Sequence, residues 1–403
     1  MLIGLGPACE RADCYFLENF NETDVSTSVA HTLGTIIYWK SYSDAVQLLQ
    51  IIKPDKLIFQ LIDNYYHVAL FFAARHLLKI PIWYMDHGIR YEHGMMNMDV
   101  IESGIRASLS RRIAGKKVKS YVALLKNRFF RKTKVQLTLK LKQDIQQVFN
   151  SRSKNNFAVF MKECGHLLQP DGFIAYSPET FAFHKIFFSL PINYESKNKV
   201  HYVGIPALDN LFWLKSYEPA DTADSLLLID QVLHEQSLMG WTEQKKIDFL
   251  IKLVQTLQKF NLKLKIKPHP WNSSYYDKLP QVIKQHVIIL QNINPESIDG
   301  ANMVASFNST LLLPFCTSTK FRVFCFEMNP QVVIPSFSYG ITKFEVAQEI
   351  ENFEELDCLL DKSGKTRSIF ETEKIEKFTR LMLYKFDGFS SKRLNDAILT
   401  NEE

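Results

Sequence analysis

Short apolar runs alternate with stretches of helical periodicity along most of this chain. Residues 2–5, 35–39, 56–62 and 82–85 are apolar runs of strand length, while 43–52 and 66–78 have the wider spacing of amphipathic helices. Strands separated by helices of ten or so residues indicate parallel βαβ units. The rhythm lapses after residue 85 and resumes with strands at 173–176 and 200–203.

The second half repeats the pattern. After a strand at 225–229, Thr242 is placed to cap a helix whose apolar residues Ile247, Leu250, Ile251, Val254 and Leu257 follow i, i+3, i+4, i+7, i+10. Leu262, Leu264 and Ile266 then alternate with Lys263, Lys265 and Lys267, a strand of period two that stops at Pro268-His269-Pro270. Further strands are predicted at 287–290, 303–305 and 322–326. The expected fold class is α/β, with two Rossmann-like domains in tandem facing an interdomain cleft. They would span 1–210 and 211–389, divided in the polar stretch 210–224, and 390–403 would be a frayed polar tail. A length of 403 residues, too long for one ordinary core, agrees with two domains.

Charge changes the picture at one place. The chain has 48 Lys and Arg against 43 Asp and Glu, a net +5. Between Glu102 and Asp144 there is no acidic residue and there are thirteen basic ones: Arg106, Arg111, Arg112, Lys116, Lys117, Lys119, Lys126, Arg128, Arg131, Lys132, Lys134, Lys140 and Lys142. Without these thirteen the +5 chain nets −8, so an acidic body carries one basic segment. That segment, about 103–143, reads as a helical insertion in the first domain. Tyr121, Val122, Leu124, Leu125, Phe129 and Phe130 are interleaved with its cations. It suits an anionic leaflet, where each cation is worth about 1 kcal/mol, but also a polyanionic acceptor chain or a solvated helical face.

Several classes drop out. The opening residues lack a charged region and soon meet Glu10, Arg11 and Asp13, which is unlike a secretory signal, so a cytoplasmic chain is expected. The longest uncharged window, 301–319, is broken by Asn302, Ser306, Asn308, Ser309, Thr310 and Pro314, which a membrane span would not tolerate. The six cysteines show no Cys-x-x-Cys pair, and free thiols are expected. Gly364-Lys365-Thr366 lacks the glycine of a phosphate loop, since Leu359 stands five before Gly364; Gly4-x-Gly6 lacks the third glycine of a dinucleotide fingerprint. There is no Asp-x-Asp for a metal-held sugar nucleotide, and His234-Glu235 lacks the second histidine of a zinc helix.

Open α/β sheets bind ligands beyond the carboxyl ends of their strands, and three clusters stand there. In Asp86-His87-Gly88 a histidine can accept a proton from a hydroxyl, a neighbouring carboxylate can orient it, and glycine permits a sharp turn. In Lys267-Pro268-His269-Pro270 two prolines fix the backbone around an imidazole just past a strand end, as a phosphate site would need. In the third, a strand runs into Ser306-Phe307-Asn308-Ser309-Thr310, whose hydroxyls open an apolar helix and can face an anion. The plain alternatives are a solvated turn, a capped strand with an exposed histidine, and ordinary N-capping by Asn308 or Ser309. Glu327, at a strand end, would hold a ribose hydroxyl pair or simply sit at the surface.

Taken in order, the clusters resemble bacterial glycosyltransferases of the GT-B type, most closely the sialyltransferase and polysialyltransferase-like group that uses CMP-activated acidic sugars. That group has an acidic-acidic-Gly motif in its first domain, a His-Pro motif after a strand in its second, and a hydroxyl pair opening a later helix. Here those positions read Asp86-His87-Gly88, Lys267-Pro268-His269-Pro270 and Ser309-Thr310, and the stretches 226–231 and 295–298 also match, so the resemblance covers about 53–327. His87 departs from it, standing where the group has an acid. This is more like the polyol-phosphate and Kdo-type capsule transferases, as is Gly204-Ile205-Pro206-Ala207-Leu208-Asp209.

The resemblance implies an inverting, metal-independent transferase that moves a sialic-acid-like or Kdo-like sugar from a CMP donor to a hydroxyl of a capsule, lipopolysaccharide or O-antigen glycan. It would need no cofactor beyond that co-substrate. His87 would take the proton with Asp86 tuning it; His269, Lys267, Pro270, Ser306, Asn308, Ser309, Thr310 and Glu327 would line the nucleotide and its phosphate. Arg111, Arg112, Lys116, Lys117, Lys119, Arg128, Arg131 and Lys132 would touch a membrane or polyanion. The expected partners are the donor, a glycan or glycolipid acceptor and the inner face of the cytoplasmic membrane, with no nucleic acid. A CDP-polyol phosphotransferase-like or other nucleotide-sugar GT-B transferase is the first alternative, and a sugar-nucleotide epimerase or a non-catalytic capsule-assembly scaffold the second.

Overall fold

The computed structural model describes residues 6–18, 34–60, 62, 65–86, 88, 128–153, 163–197, 199–219, 224–236, 238–270, 276–277, 279–331, 336–361 and 370–400. They divide into two compact units. One comprises the described residues up to 88, those of 128–207 and those from 389 onward; the other comprises those of 208–388.

The first unit contains a two-stranded parallel sheet, β1 (Tyr15–Glu18) with β2 (Thr35–Tyr38), and a four-stranded parallel sheet of β3 (Leu57–Phe59), β4 (Ile82–Met85), β5 (Gly172–Ala175) and β6 (Lys199–Tyr202), in that spatial order. Every residue of β4 and β5 is buried, as expected of parallel strands covered on both faces. The helix Ala45–Ile52 starts at Asp44, whose side chain accepts the Val46 and Gln47 amides at 3.0 Å each. The helical period read at 66–78 is an α-helix, Tyr65–Phe72, that continues as a π-helix, Ala73–Leu78. The strand expected at 2–5 lies outside the described residues.

The chain end departs from expectation. Ser390–Leu399 is a helix of the first unit with Leu394 and Ala397 buried. Asn395 Oδ1 accepts the Ala8 amide at 2.7 Å, and Arg393 Nε donates to the Val203 carbonyl at 2.9 Å. Two apolar residues three apart give a narrow inward stripe that a mostly polar composition hides. The close approach also explains Gly204. It has φ +80°, and a Cβ there would stand 2.4 Å from Ser390 Oγ.

The second unit is a six-stranded parallel sheet. Its strands are β7 (Ser225–Ile229), β8 (Lys263–Lys267), β9 (Val287–Ile289), β10 (Met303–Ser306), β11 (Arg322–Phe326) and β12 (Gln348–Ile350), in the order β12-β11-β10-β7-β8-β9. The chain runs outward from β7 through β8 and β9, then crosses back to β10, so the order reverses between β7 and β10. Such a reversal is where open α/β sheets leave a crevice for ligands.

Thr242 caps the helix Glu243–Gln258 by accepting the Lys245 amide at 3.3 Å. Its buried face differs from the one expected. Phe249 and Leu253 lie fully inside while Ile247 and Ile251 pack at the margin, because Phe249 joins a ring cluster with Trp241, Phe307, Phe326 and Phe353. The alternation of β8 is also overridden: Lys265 is buried, its Nζ donating to the Asp299 carbonyl, since a strand between β7 and β9 is covered on both faces.

Candidate active site

The reversal point in the second unit gathers the second and third sequence clusters. β7 pairs with β8 so that Ile229 lies opposite Lys267, and with β10 so that Leu228 lies opposite Ala305. The residues that follow each strand therefore emerge at one level: Asp230 and Gln231, Pro268 and His269, then Phe307 to Thr310. Three bonds knit them together. The Asp230 amide donates to the Lys267 carbonyl at 3.0 Å, Ser306 Oγ donates to the Ile229 carbonyl at 2.8 Å, and Gln231 Nε2 donates to the Asn308 carbonyl.

Within this group Pro268 is buried, His269 is half-buried and Pro270 is exposed. Burial lowers the His269 pKa and Lys267 adds to that effect, while Asp230 opposes both. Burial also lowers the pKa of Lys267, whose Nζ donates to the Pro268 carbonyl at 3.0 Å. Asn308, Ser309 and Thr310 are half-buried.

Three expectations need correcting. Ser309 and Thr310 do not open an apolar helix. Thr310–Leu312 is one 3-10 turn, capped by Ser309 Oγ on the Leu311 amide at 3.3 Å, and a second turn, Phe315–Thr317, follows Pro314. Pro314 lacks the amide that a longer helix would use. Ser306 is fully buried and ties two strands together. Glu327 is half-buried and held within its unit: it accepts the Ser338 amide at 2.5 Å and Asn329 Nδ2 at 3.0 Å. Burial raises its pKa and nearby Glu349 adds to this, against the bonds from Ser338.

In the first unit, Asp86 follows β4 and is 2% exposed. Its amide donates to the Ile174 carbonyl at 3.0 Å, Oδ2 accepts the Tyr176 amide at 2.7 Å, and Oδ1 shares a hydrogen bond with His184 Nε2. Burial alone would raise the Asp86 pKa. The His184 ring and the bonds from Tyr176 and Thr180 outweigh it and hold the carboxyl below the usual range. His184 belongs to the helix Pro178–Phe187, begun by a capping box between Ser177 and Thr180, and sits among the rings of Tyr84, Phe173, Phe183 and Phe188. Its Nδ1 has no hydrogen-bond partner among the described residues. The sequence carried a signal for His184 that was overlooked, since it shares an i, i+3, i+4 row with Thr180, Phe181 and Phe188 behind a strong cap.

His87 lies outside the described residues, whereas Gly88 lies within them. A Cβ on Gly88 would meet nothing within 4 Å among the described residues. Asp86 itself supports a stability prediction. A folded pKa below the unfolded value of about 3.9 means that the carboxylate stabilises the fold above that pH and loses the effect as pH falls through the folded value. Asp86→Asn should cost on the order of 3 kcal/mol at neutral pH. Its melting temperature should also fall less steeply than the native one as pH drops below 4; equally steep melts would contradict this account of Asp86.

A model of the alpha-2,8-polysialyltransferase family matches residues 19–325. The chain belongs to that family. No curated protein matches it in sequence. Among solved structures, the polysialyltransferase-family chain is similar to the glycotransferase of kitacinnamycin (11% identity, 98% of this chain and 94% of that one, TM-score 0.49). It is also similar to the UDP-GlcNAc 2-epimerase of Methanocaldococcus jannaschii (12%, 98% and 95%, 0.43) and to the wall teichoic acid polymerase TagF (15%, 61% and 60%, 0.34). The family match spans Asp86, Lys267 to Pro270 and Ser306 to Thr310, and ends two residues before Glu327.

Of the cations expected on a membrane or polyanion, Arg111, Arg112, Lys116, Lys117 and Lys119 lie outside the described residues. Arg128, Arg131 and Lys132 are exposed on a helical stretch, 128–135, of this polysialyltransferase-family chain. Phe129 and Phe130, read as interleaved apolar residues, are instead core residues at 2% exposure each; Phe129 meets Trp39, and Phe130 meets Tyr65 and Phe149. Over 128–135 exposed cations thus stand on a stretch whose other side joins the core, while 103–127 lie outside the described residues. Lys134 and Lys142 line an open pocket of about 640 Å³ with Gln143, Gln146, Gln147, Asn150, Ser151 and Glu163. No described helix is long and apolar enough to cross a membrane, and among the described residues no three His, Cys, Asp or Glu side chains gather as a metal would require.

Proposed function

We propose that this chain transfers an acidic sugar of the sialic-acid or Kdo type from a CMP-activated donor to a hydroxyl of a surface glycan, with inversion and without a metal. Membership of the alpha-2,8-polysialyltransferase family carries the reading. The gathering of Lys267, His269, Ser309 and Thr310 at the strand-order reversal supports it from physical grounds.

In this mechanism His87 takes the proton of the acceptor hydroxyl as its oxygen bonds to the anomeric carbon. The bond from that carbon to the phosphate oxygen breaks and its electron pair leaves with CMP. His269, with the Ser309 and Thr310 hydroxyls, donates hydrogen bonds to the departing phosphate, and Lys267 supplies positive charge beside it. Asp86, engaged by His184 and Tyr176, acts by anchoring the strand end from which His87 follows.

Thermal melts with CMP, CDP, UDP and GDP test the donor. A nucleotide held at 100 times its Kd should add about 2.7 kcal/mol to stability. The expected result is stabilisation by CMP alone. A shift with CDP alone would move the assignment to polyol-phosphate transfer, and no shift with any of the four would remove the enzyme reading.

A further inference from the structure

The second unit contains a charged group for which this mechanism has no use. Asp230, Lys246 and Tyr276 are 2%, 0% and 4% exposed. Lys246 Nζ donates to one carboxylate oxygen of Asp230 and the Tyr276 hydroxyl donates to the other, with the Lys246 ammonium 5.6 Å from the Phe307 ring centre. Burying two charges carries a desolvation cost that their attraction seldom exceeds, and apolar residues of like volume fill a core equally well. Such a triad therefore calls for a role besides packing.

Its connections supply one. The Asp230 amide holds the Lys267 carbonyl at 3.0 Å, the residue from which Pro268 and His269 follow. The Asp230 carboxylate holds Tyr276, six residues beyond Pro270. One residue thus grips the chain on both sides of His269, through its backbone before it and its side chain after it. The next residue, Gln231, grips the Asn308 carbonyl beside Ser309. We infer that Asp230 is the positioning residue of His269, with Lys246 as its counter-charge and Tyr276 as the anchor it holds on the C-terminal side of that histidine. This rests on the proposed role of His269 in binding the nucleotide phosphate. The carboxylate also bears on the imidazole directly, drawing its pKa upward against burial and Lys267.

Tyr276→Phe removes one hydroxyl and leaves the ring. The variant should lose some stability with that buried bond but stay folded at assay temperature, bind CMP about tenfold more weakly and turn over more slowly in proportion, with the acceptor KM unchanged. Native CMP affinity and turnover in Tyr276→Phe would overturn the inference, as would a parallel change in acceptor KM, which marks general loosening. The double variant Asp230→Asn with Lys246→Met removes both charges and strands neither. Where it folds, the low-pH limb of CMP binding should move to lower pH; an unmoved limb counts against the positioning role. His269→Asn, measured alongside, separates the two claims. If it binds CMP as the native protein does, the reading of His269 fails; if it loses CMP while Tyr276→Phe does not, the positioning role alone fails.

Discussion

His87→Ala is expected to lower turnover with a CMP-activated donor and a glycan acceptor by about 10²–10⁴-fold while CMP affinity stays native. The acceptor hydroxyl is a poor nucleophile until a base takes its proton, and a histidine near neutral pKa is suited to that step. The split between turnover and affinity matters more than the size of the loss. A base acts on the acceptor and has no part in holding the nucleotide, so a variant that lost CMP as well would show His87 to be structural. Full turnover in His87→Ala would remove it from the mechanism and leave the proton to another group.

The second large effect concerns the donor. His269→Ala should reduce turnover by about 10²–10³-fold, the usual loss when one aligned donor to a developing anion is removed. Here CMP affinity should fall too, since the leaving phosphate is present in the product. The pH dependence gives a second readout. Burial and Lys267 depress the His269 pKa, so at neutral pH the imidazole offers one N–H and gains its second only on acidification below its ordinary value of about 6.5. Native CMP affinity should therefore rise as pH falls through that lowered value, and the rise should vanish in His269→Ala. A variant that kept the rise would place the titrating group elsewhere.

Much of the fold was legible because parallel strands announce themselves. β7 and β11 lie where unbroken apolar runs place them, and Thr242 caps the helix it was expected to cap. β12 was not legible: Gln348-Glu349-Ile350 pairs with β11 through its backbone, which needs no apolar run. Polar residues were harder still. Lys246 reads as one more lysine on a helix surface, and only its contact with Asp230, sixteen residues earlier, makes it a core residue. Asp86 was recognised by its neighbours in sequence, yet Tyr176, Thr180 and His184, which meet its carboxylate, stand about ninety residues away. Position past a strand end can be read from a sequence, whereas which distant side chain answers a buried charge cannot. The two carboxylates nonetheless share a plan: each follows a strand of a parallel sheet and is met by a side chain from a helix that comes later in the chain.

The helix Ser390–Leu399 makes the second unit an insertion between residues 207 and 389 of the first. During synthesis the Ala8 amide and the Val203 carbonyl are made before the second unit, and their partners Asn395 and Arg393 only after it. The first unit is thus completed only after the second, and while residues 208–388 are being made it waits with the seat of its closing helix uncovered.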